Sequence, residues 1–146
     1  MGISGYSSLW LLFLLEALNM IAVIFEVWPA DNRRKDYMAI AADLHADLSA
    51  IDGFTSVERF QSLSDPEKLL SLSFWRDEES VARWRNHQAH RKSQAAGRSG
   101  IFKDYRLRIT SVIRDYGMRD RNEAPADSVA VHDRSARAVS PTDARD

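Results

Sequence analysis

No cysteine occurs among the 146 residues. Its absence removes disulfides, thiolate nucleophiles and Cys-based zinc or iron–sulfur sites, and suits a reducing cytoplasm, the compartment expected here. A charge excess is missing too: 20 Lys and Arg stand against 21 Asp and Glu, a formal net charge of -1. No overall field draws such a chain onto phosphate backbones, and nucleic acid is not an expected partner. Nor is there a clean apolar run of spanning length. Leu9 to Leu15 is apolar, but Glu16 interrupts it and no Lys or Arg precedes it. A membrane helix needs about twenty largely uncharged residues, and a secretory signal needs a positive leading region. Residues 1–19 therefore read as an extension ahead of a start at Met20, with a membrane anchor or a docked extra helix as the other two readings; no membrane is expected as a partner. Histidine is scarce, with 4 in all. His87 and His90 stand one turn apart, but apart from His45 no further imidazole precedes the tail, so no metal site is expected.

What is present is enough apolar content, 45%, for one core in one domain. Met20 to Val27 is rich in β-branched and aromatic residues and is stopped by Pro29, which predicts a strand buried on both faces apart from Glu26. From Asp31 onward Tyr37, Ile40, Ala41, Leu44 and Leu48 recur at helical spacing until Asp52-Gly53 ends the run. Phe54 to Gln61 and Leu69 to Trp75 are strand-length and are joined by Ser64-Asp65-Pro66-Glu67, turn chemistry that predicts an antiparallel hairpin. Tyr105 to Tyr116 alternates, with Tyr105, Leu107, Ile109, Ser111 and Ile113 facing one way and Arg106, Arg108, Thr110, Val112 and Arg114 the other. The order predicts an α+β, ferredoxin-like split βαββαβ fold: a four-stranded antiparallel sheet with the helices on one face. The other sheet face is left apolar, and a second copy would cover it, so a homodimer is expected. This domain spans residues 20–117. Residues 118–146, with two prolines and few large apolar side chains, predict a disordered tail.

Between the third and fourth strands, Phe74 to Arg106 concentrates the chemistry. Asp77 has the side chain of an N-cap, and Glu78 and Glu79 place negative charge in the first turn, where the helix dipole favours it. Continued unbroken, the helix brings Trp84, His87, Arg91, Gln94 and Arg98 onto one face with His90 at its edge, until Gly97-Arg98 ends it. Such a face is not uniformly apolar, which predicts a pocket with a few polar groups between this helix and the sheet. Trp75 reads as core. Trp84 reads either as plain core or as cavity wall, and the two histidines as site groups or as exposed helix-end residues.

The segment Leu70 to Arg98, with Phe102, Tyr105-Arg106 and Arg114-Asp115-Tyr116-Gly117, resembles the antibiotic biosynthesis monooxygenase family across Met20 to Gly117. The resemblance implies a dimeric α/β barrel. It also implies a choice among cofactor-free oxygenation of phenolic or hydroquinone-like molecules, haem degradation, and folded members without known activity. The haem-degrading pattern has an Asn on strand one, a Trp on the second helix and a His ten residues later. Here Trp84 matches, Glu26 or a neighbour takes the strand position, and Gln94 stands where the iron ligand belongs, so haem is the alternative cofactor and none is the expectation. The cofactor-free pattern surrounds its substrate with a Trp, a Tyr six residues later and an Arg on the last strand; Trp84 and Arg106 resemble these, and His90 takes the Tyr position.

The resemblance thus implies His90, Trp84 and Arg106 as catalytic residues and His87, Gln94, Arg98 and Tyr105 as substrate-binding residues. The substrates it implies are a small aromatic molecule and O2. A phenolate donates an electron to oxygen far more readily than the phenol does. The protein then need only remove the proton and stabilise the anion, here at Arg98 or Arg106, in a dry cavity. Positive neighbours such as Arg91 and Lys92 keep an imidazole neutral, as a base must be.

Overall fold

The computed structural model describes residues 20–137. Expectations for residues 1–19, and for the chain beyond residue 137, lie outside the described residues. The chain divides between Val112 and Ile113 into two compact units.

In the first unit four strands form one antiparallel sheet in the order β2-β3-β1-β4: β1 (Ile21–Pro29), β2 (Phe54–Gln61), β3 (Leu69–Trp75) and β4 (Phe102–Ser111). Helices α1 (Arg34–Asp43) and α2 (His45–Ser49) connect β1 to β2. Helices α3 (Glu78–Asn86) and α4 (Gln88–Ala96), with a five-residue turn Gly97–Ile101, connect β3 to β4. This is the ferredoxin-like α+β arrangement that the strand and helix order predicts. β4 begins at Phe102 rather than Tyr105 and ends at Ser111 rather than Tyr116. Its partner β1 starts at Ile21, which pairs with Ser111, and the last bond between the two strands is from the Val112 amide to the Met20 carbonyl at 2.8 Å.

The pleat sorts the sheet into two faces. Val23, Phe25, Val57, Arg59, Ser71, Ser73, Trp75, Tyr105, Leu107 and Ile109 all line the space under the helices. The alternate residues Ala22, Ile24, Glu26, Leu70, Leu72, Phe74 and Phe60 share the outer face by register. Glu26, expected as the polar exception on a buried strand, lies on that outer face. It pairs with Lys68 at 2.5 Å and with Arg108, and these two cations hold its carboxyl below the usual range.

Two apolar clusters join helices to sheet. One gathers Ile21, Leu48, Trp75 and Val81; the other gathers Val27, Tyr37, Leu69 and Ile101. Asp77 caps α3 as predicted: Ser80 donates to Asp77 Oδ1 from its backbone nitrogen at 2.7 Å and from its hydroxyl at 2.6 Å. A cap of this kind contributes about 1 kcal/mol. These bonds, with Arg76, bring the Asp77 pKa down to about 2. The sign follows: a carboxyl depressed in the fold gives its stabilisation above its unfolded pKa, near 3.8, and loses it as pH falls toward 2. Gly97 ends α4 for a steric reason. It is helical, but a Cβ there would lie 2.3 Å from the Phe102 ring, so the turn can close onto β4 only without a side chain.

The helix that starts after Asp77 does not run on unbroken, the condition under which Trp84, His87, Arg91, Gln94 and Arg98 share one face. His87 adopts an extended backbone, φ −61° and ψ 134°, and separates α3 from α4. No proline or glycine marks the break. In the second unit, helix α5 (Ala126–Arg137) occupies part of the segment whose composition predicts disorder. Asp127 stands in its first turn, where the helix dipole favours a negative charge, and the Val129 amide donates to the Pro125 carbonyl at 3.0 Å.

Candidate functional site

A cavity of about 330 Å³ lies between the inner sheet face and the helices, bounded by both apolar clusters. The predicted pocket is therefore present within a single chain. Its size is at the lower end of small-molecule sites, about 300–1,000 Å³. Tyr105 (42% exposed), Leu107 (50%) and Ile109 (39%) line it yet remain open, so its accessible side runs along the edge strand β4. Arg59, Arg85, Arg91 and Arg98 also line it, and among the described residues no Asp or Glu does.

The break at His87 folds the start of α4 back onto Trp84. The His90 ring stacks on Trp84 with centroids 4.3 Å apart and planes at 12°; the His87 ring lies 5.7 Å from Trp84 at 24°. His90 Nδ1 is 3.0 Å from the Trp84 carbonyl and 3.1 Å from the Gln94 amide nitrogen. The two contacts demand opposite tautomers, since a carbonyl only accepts and an amide nitrogen only donates. The carbonyl contact is shorter, and the Gln94 amide has a second acceptor in the Arg85 carbonyl at 3.2 Å. The network therefore assigns the proton to Nδ1 and leaves the lone pair on Nε2. Burial pushes the His90 pKa down, with Arg91 and His87 adding to it and the Trp84 carbonyl opposing. The result is a neutral imidazole, locked in one tautomer, in the wall of a largely apolar cavity.

Residues 20–96, more than half of the chain, match the family described as antibiotic biosynthesis monooxygenase. The chain belongs to this family. A fungal relative named jasmonate monooxygenase ABM, from Pyricularia oryzae, is 47% identical over 93 residues, which are 64% of this chain and 43% of that protein. The chain thus spans less than half of that relative's length. Among solved structures, SnoaB, a cofactor-independent oxygenase from Streptomyces nogalater, superposes with a TM-score of 0.59 at 9% identity, covering 66% of this chain and 96% of that one. A putative antibiotic biosynthesis monooxygenase from Nitrosomonas europaea gives 0.60 at 11%, covering 68% and 95%. At such identities the superpositions establish the fold alone.

Within this antibiotic biosynthesis monooxygenase domain, Trp84, His90, Gln94, Arg98 and Tyr105 line the cavity. His87 reaches it only through the Trp84 stack; its Nδ1 is buried and has no partner among the described residues. Arg106 is corrected: it pairs in register with Glu26 on the outer face, because strand alternation places it opposite Tyr105 and Leu107. Glu26 is likewise on the wrong side to serve as the polar strand-one residue of the haem-degrading pattern; Val23 and Phe25 face the cavity there. Arg59 and Arg85 are lining residues that sequence reading did not select, and Arg91, placed on the helix face with Trp84, was given no contact with substrate. Arg59 had a legible signal, since it shares the strand parity of the inward Val57. Arg91 is held by Gln94 Oε1 at 3.0 Å and Asn86 Oδ1 at 2.6 Å, contacts created by the helix break. Among the described residues no three His, Asp or Glu side chains form a group that could hold a metal ion, and no helix is long and apolar enough to cross a membrane.

Proposed function

We propose that the cavity binds a small aromatic molecule with an acidic hydroxyl and oxidises it with O2, His90 acting as general base. The observation that carries this reading is the neutral His90 imidazole, stacked on Trp84 in an apolar wall that includes arginines and no carboxylate. His90 Nε2 takes the phenolic proton, and the phenolate passes an electron to O2 beside it. The two radicals combine, and the peroxide loses water. One oxygen atom enters the ring carbon, the other leaves as water, and the substrate supplies every electron, so phenol and O2 become quinone and water. The chain's own groups bind, deprotonate and hold the anion; Arg98 is the anion partner in place of Arg106.

Jasmonate, a small carboxylate, is the second substrate to assay, on the strength of the fungal relative's name and the acid-free, arginine-bearing cavity wall. Haem fits these residues poorly in one respect: Gln94 offers no imidazole where the family pattern requires the iron ligand. The test is oxygen uptake with a dihydroxynaphthalene and with jasmonate, beside a titration with stoichiometric haem. Enzyme-dependent uptake with quinone absorbance, and no sharp Soret band, is expected. A sharp Soret band that decays with ascorbate and oxygen would replace this reading by haem degradation.

The protein acts as a homodimer in this proposal. Ile24, Leu70, Leu72 and Phe74 form an apolar patch on the outer sheet face beside the Glu26, Lys68 and Arg108 ion pairs, and Phe60 there is 40% exposed, a surface that a second sheet would cover. Light scattering should give the mass of two chains, and Leu72→Glu on that face should give the mass of one.

A further inference from the structure

We propose that Arg59 forms an anion subsite in the cavity, which takes the carboxylate or sulfonate of an amphipathic ligand whose apolar body extends toward β4. The inference rests on the cavity being the ligand site, as proposed above, but not on any oxidation there. Arg59 lies on the inner face of β2, an edge strand, and lines the cavity. Across the sheet its row reads Arg59, Ser71, Phe25, Leu107, one residue from each strand. A charge thus stands at one edge, a serine beside it, and apolar side chains on the remaining two strands. Three strand spacings make this row about 14 Å wide, enough for a bicyclic or medium-chain molecule lying across it.

The environment of Arg59 points to a missing anion. Its Nε is buried and has no hydrogen-bond partner, and among the described residues no carboxylate pairs with it. A guanidinium stays charged at any working pH, and a buried donor without an acceptor is a standing cost to the fold. The lining holds no Asp or Glu to neutralise it, and Glu58, its neighbour in the chain, has the outward parity of β2. Of the other lining arginines, Arg91 is occupied by Asn86 and Gln94, and Arg85 and Arg98 are exposed to water. Arg59 is therefore the cavity cation with the least hydration and an open donor. A planar fork of this kind matches a carboxylate or sulfonate.

The test uses two fluorescent probes with the same aromatic body: anilinonaphthalene sulfonate, which carries the anion, and phenylnaphthylamine, which does not. Both are titrated into the full chain and into Arg59→Met and Arg59→Lys. The sulfonate probe should bind Arg59→Met about 10- to 100-fold more weakly, the loss of one charge-assisted contact, with Arg59→Lys in between; the neutral probe should bind all three within about twofold. Equal losses for both probes would mean that Arg59 shapes the cavity without reading charge, and an unchanged sulfonate affinity would place the anion elsewhere; either result overturns the proposal. Arg59→Lys retains charge and most of the length, and carries the test if Arg59→Met does not fold. Since no turnover is measured, a failed oxygen-uptake assay and a failed probe assay are distinguishable.

Discussion

Replacing His90 by Ala should lower kcat/KM for the oxidised substrate by about 10²- to 10⁴-fold, the usual contribution of a positioned general base. His90→Gln, which keeps much of the volume beside Trp84, should lose the same catalysis with a smaller change in melting temperature, separating proton transfer from packing. The pH profile offers an independent check. Burial, aided by Arg91 and His87, depresses the His90 pKa below its ordinary 6.5, so the acid limb of kcat/KM should lie below that value and the rate should be flat through neutrality. Stability has the same origin. Between the depressed folded pKa and the unfolded one, the unfolded chain takes up a proton that the fold excludes, so this contribution is full above about 6.5 and declines as pH falls below it. A profile whose acid limb is unchanged in His90→Gln would assign the proton transfer to another group.

Trp75→Ala should cost about 3–5 kcal/mol in denaturant unfolding, the range for emptying a fully buried aromatic site. Trp75 is 2% exposed, its Nε1 donates to the Ser73 hydroxyl at 2.9 Å, and Phe54 meets it edge-on at 5.3 Å. Trp84→Ala should cost clearly less, about 1–2 kcal/mol, because Trp84 is only partly buried and packs against the core from the cavity wall. Its larger effect should fall on ligand affinity, through loss of the aromatic surface and of the His90 stack. Equal costs for the two tryptophans, with ligand binding unchanged in Trp84→Ala, would make Trp84 ordinary core and remove the wall from the site.

The sequence by itself determined where the strands and most helical residues lie. Each rests on local chemistry: a β-branched and aromatic run for β1, strand-length segments for β2 and β3 joined by the Asp65-Pro66 turn, helical spacing from Tyr37 to Leu48, and the Asp77 cap. Order and parity of those elements were enough for the fold and for a pocket under the second helical segment. Three features of the site were decided only by tertiary structure. The break at His87 carries no proline or glycine to announce it; only there does the chain turn so that His90 lies against Trp84 and Nδ1 meets a carbonyl of the preceding helix. Arg106 was assigned to the site by family resemblance although its parity matched Arg108, and pairing with Glu26 put it on the outer face. Arg59 had its inward parity written in the sequence, but whether an inward arginine meets water, a carboxylate or an open cavity depends on which side chains roof it. Strand periodicity states which residues share a face; it holds no information about what the helices leave uncovered above them.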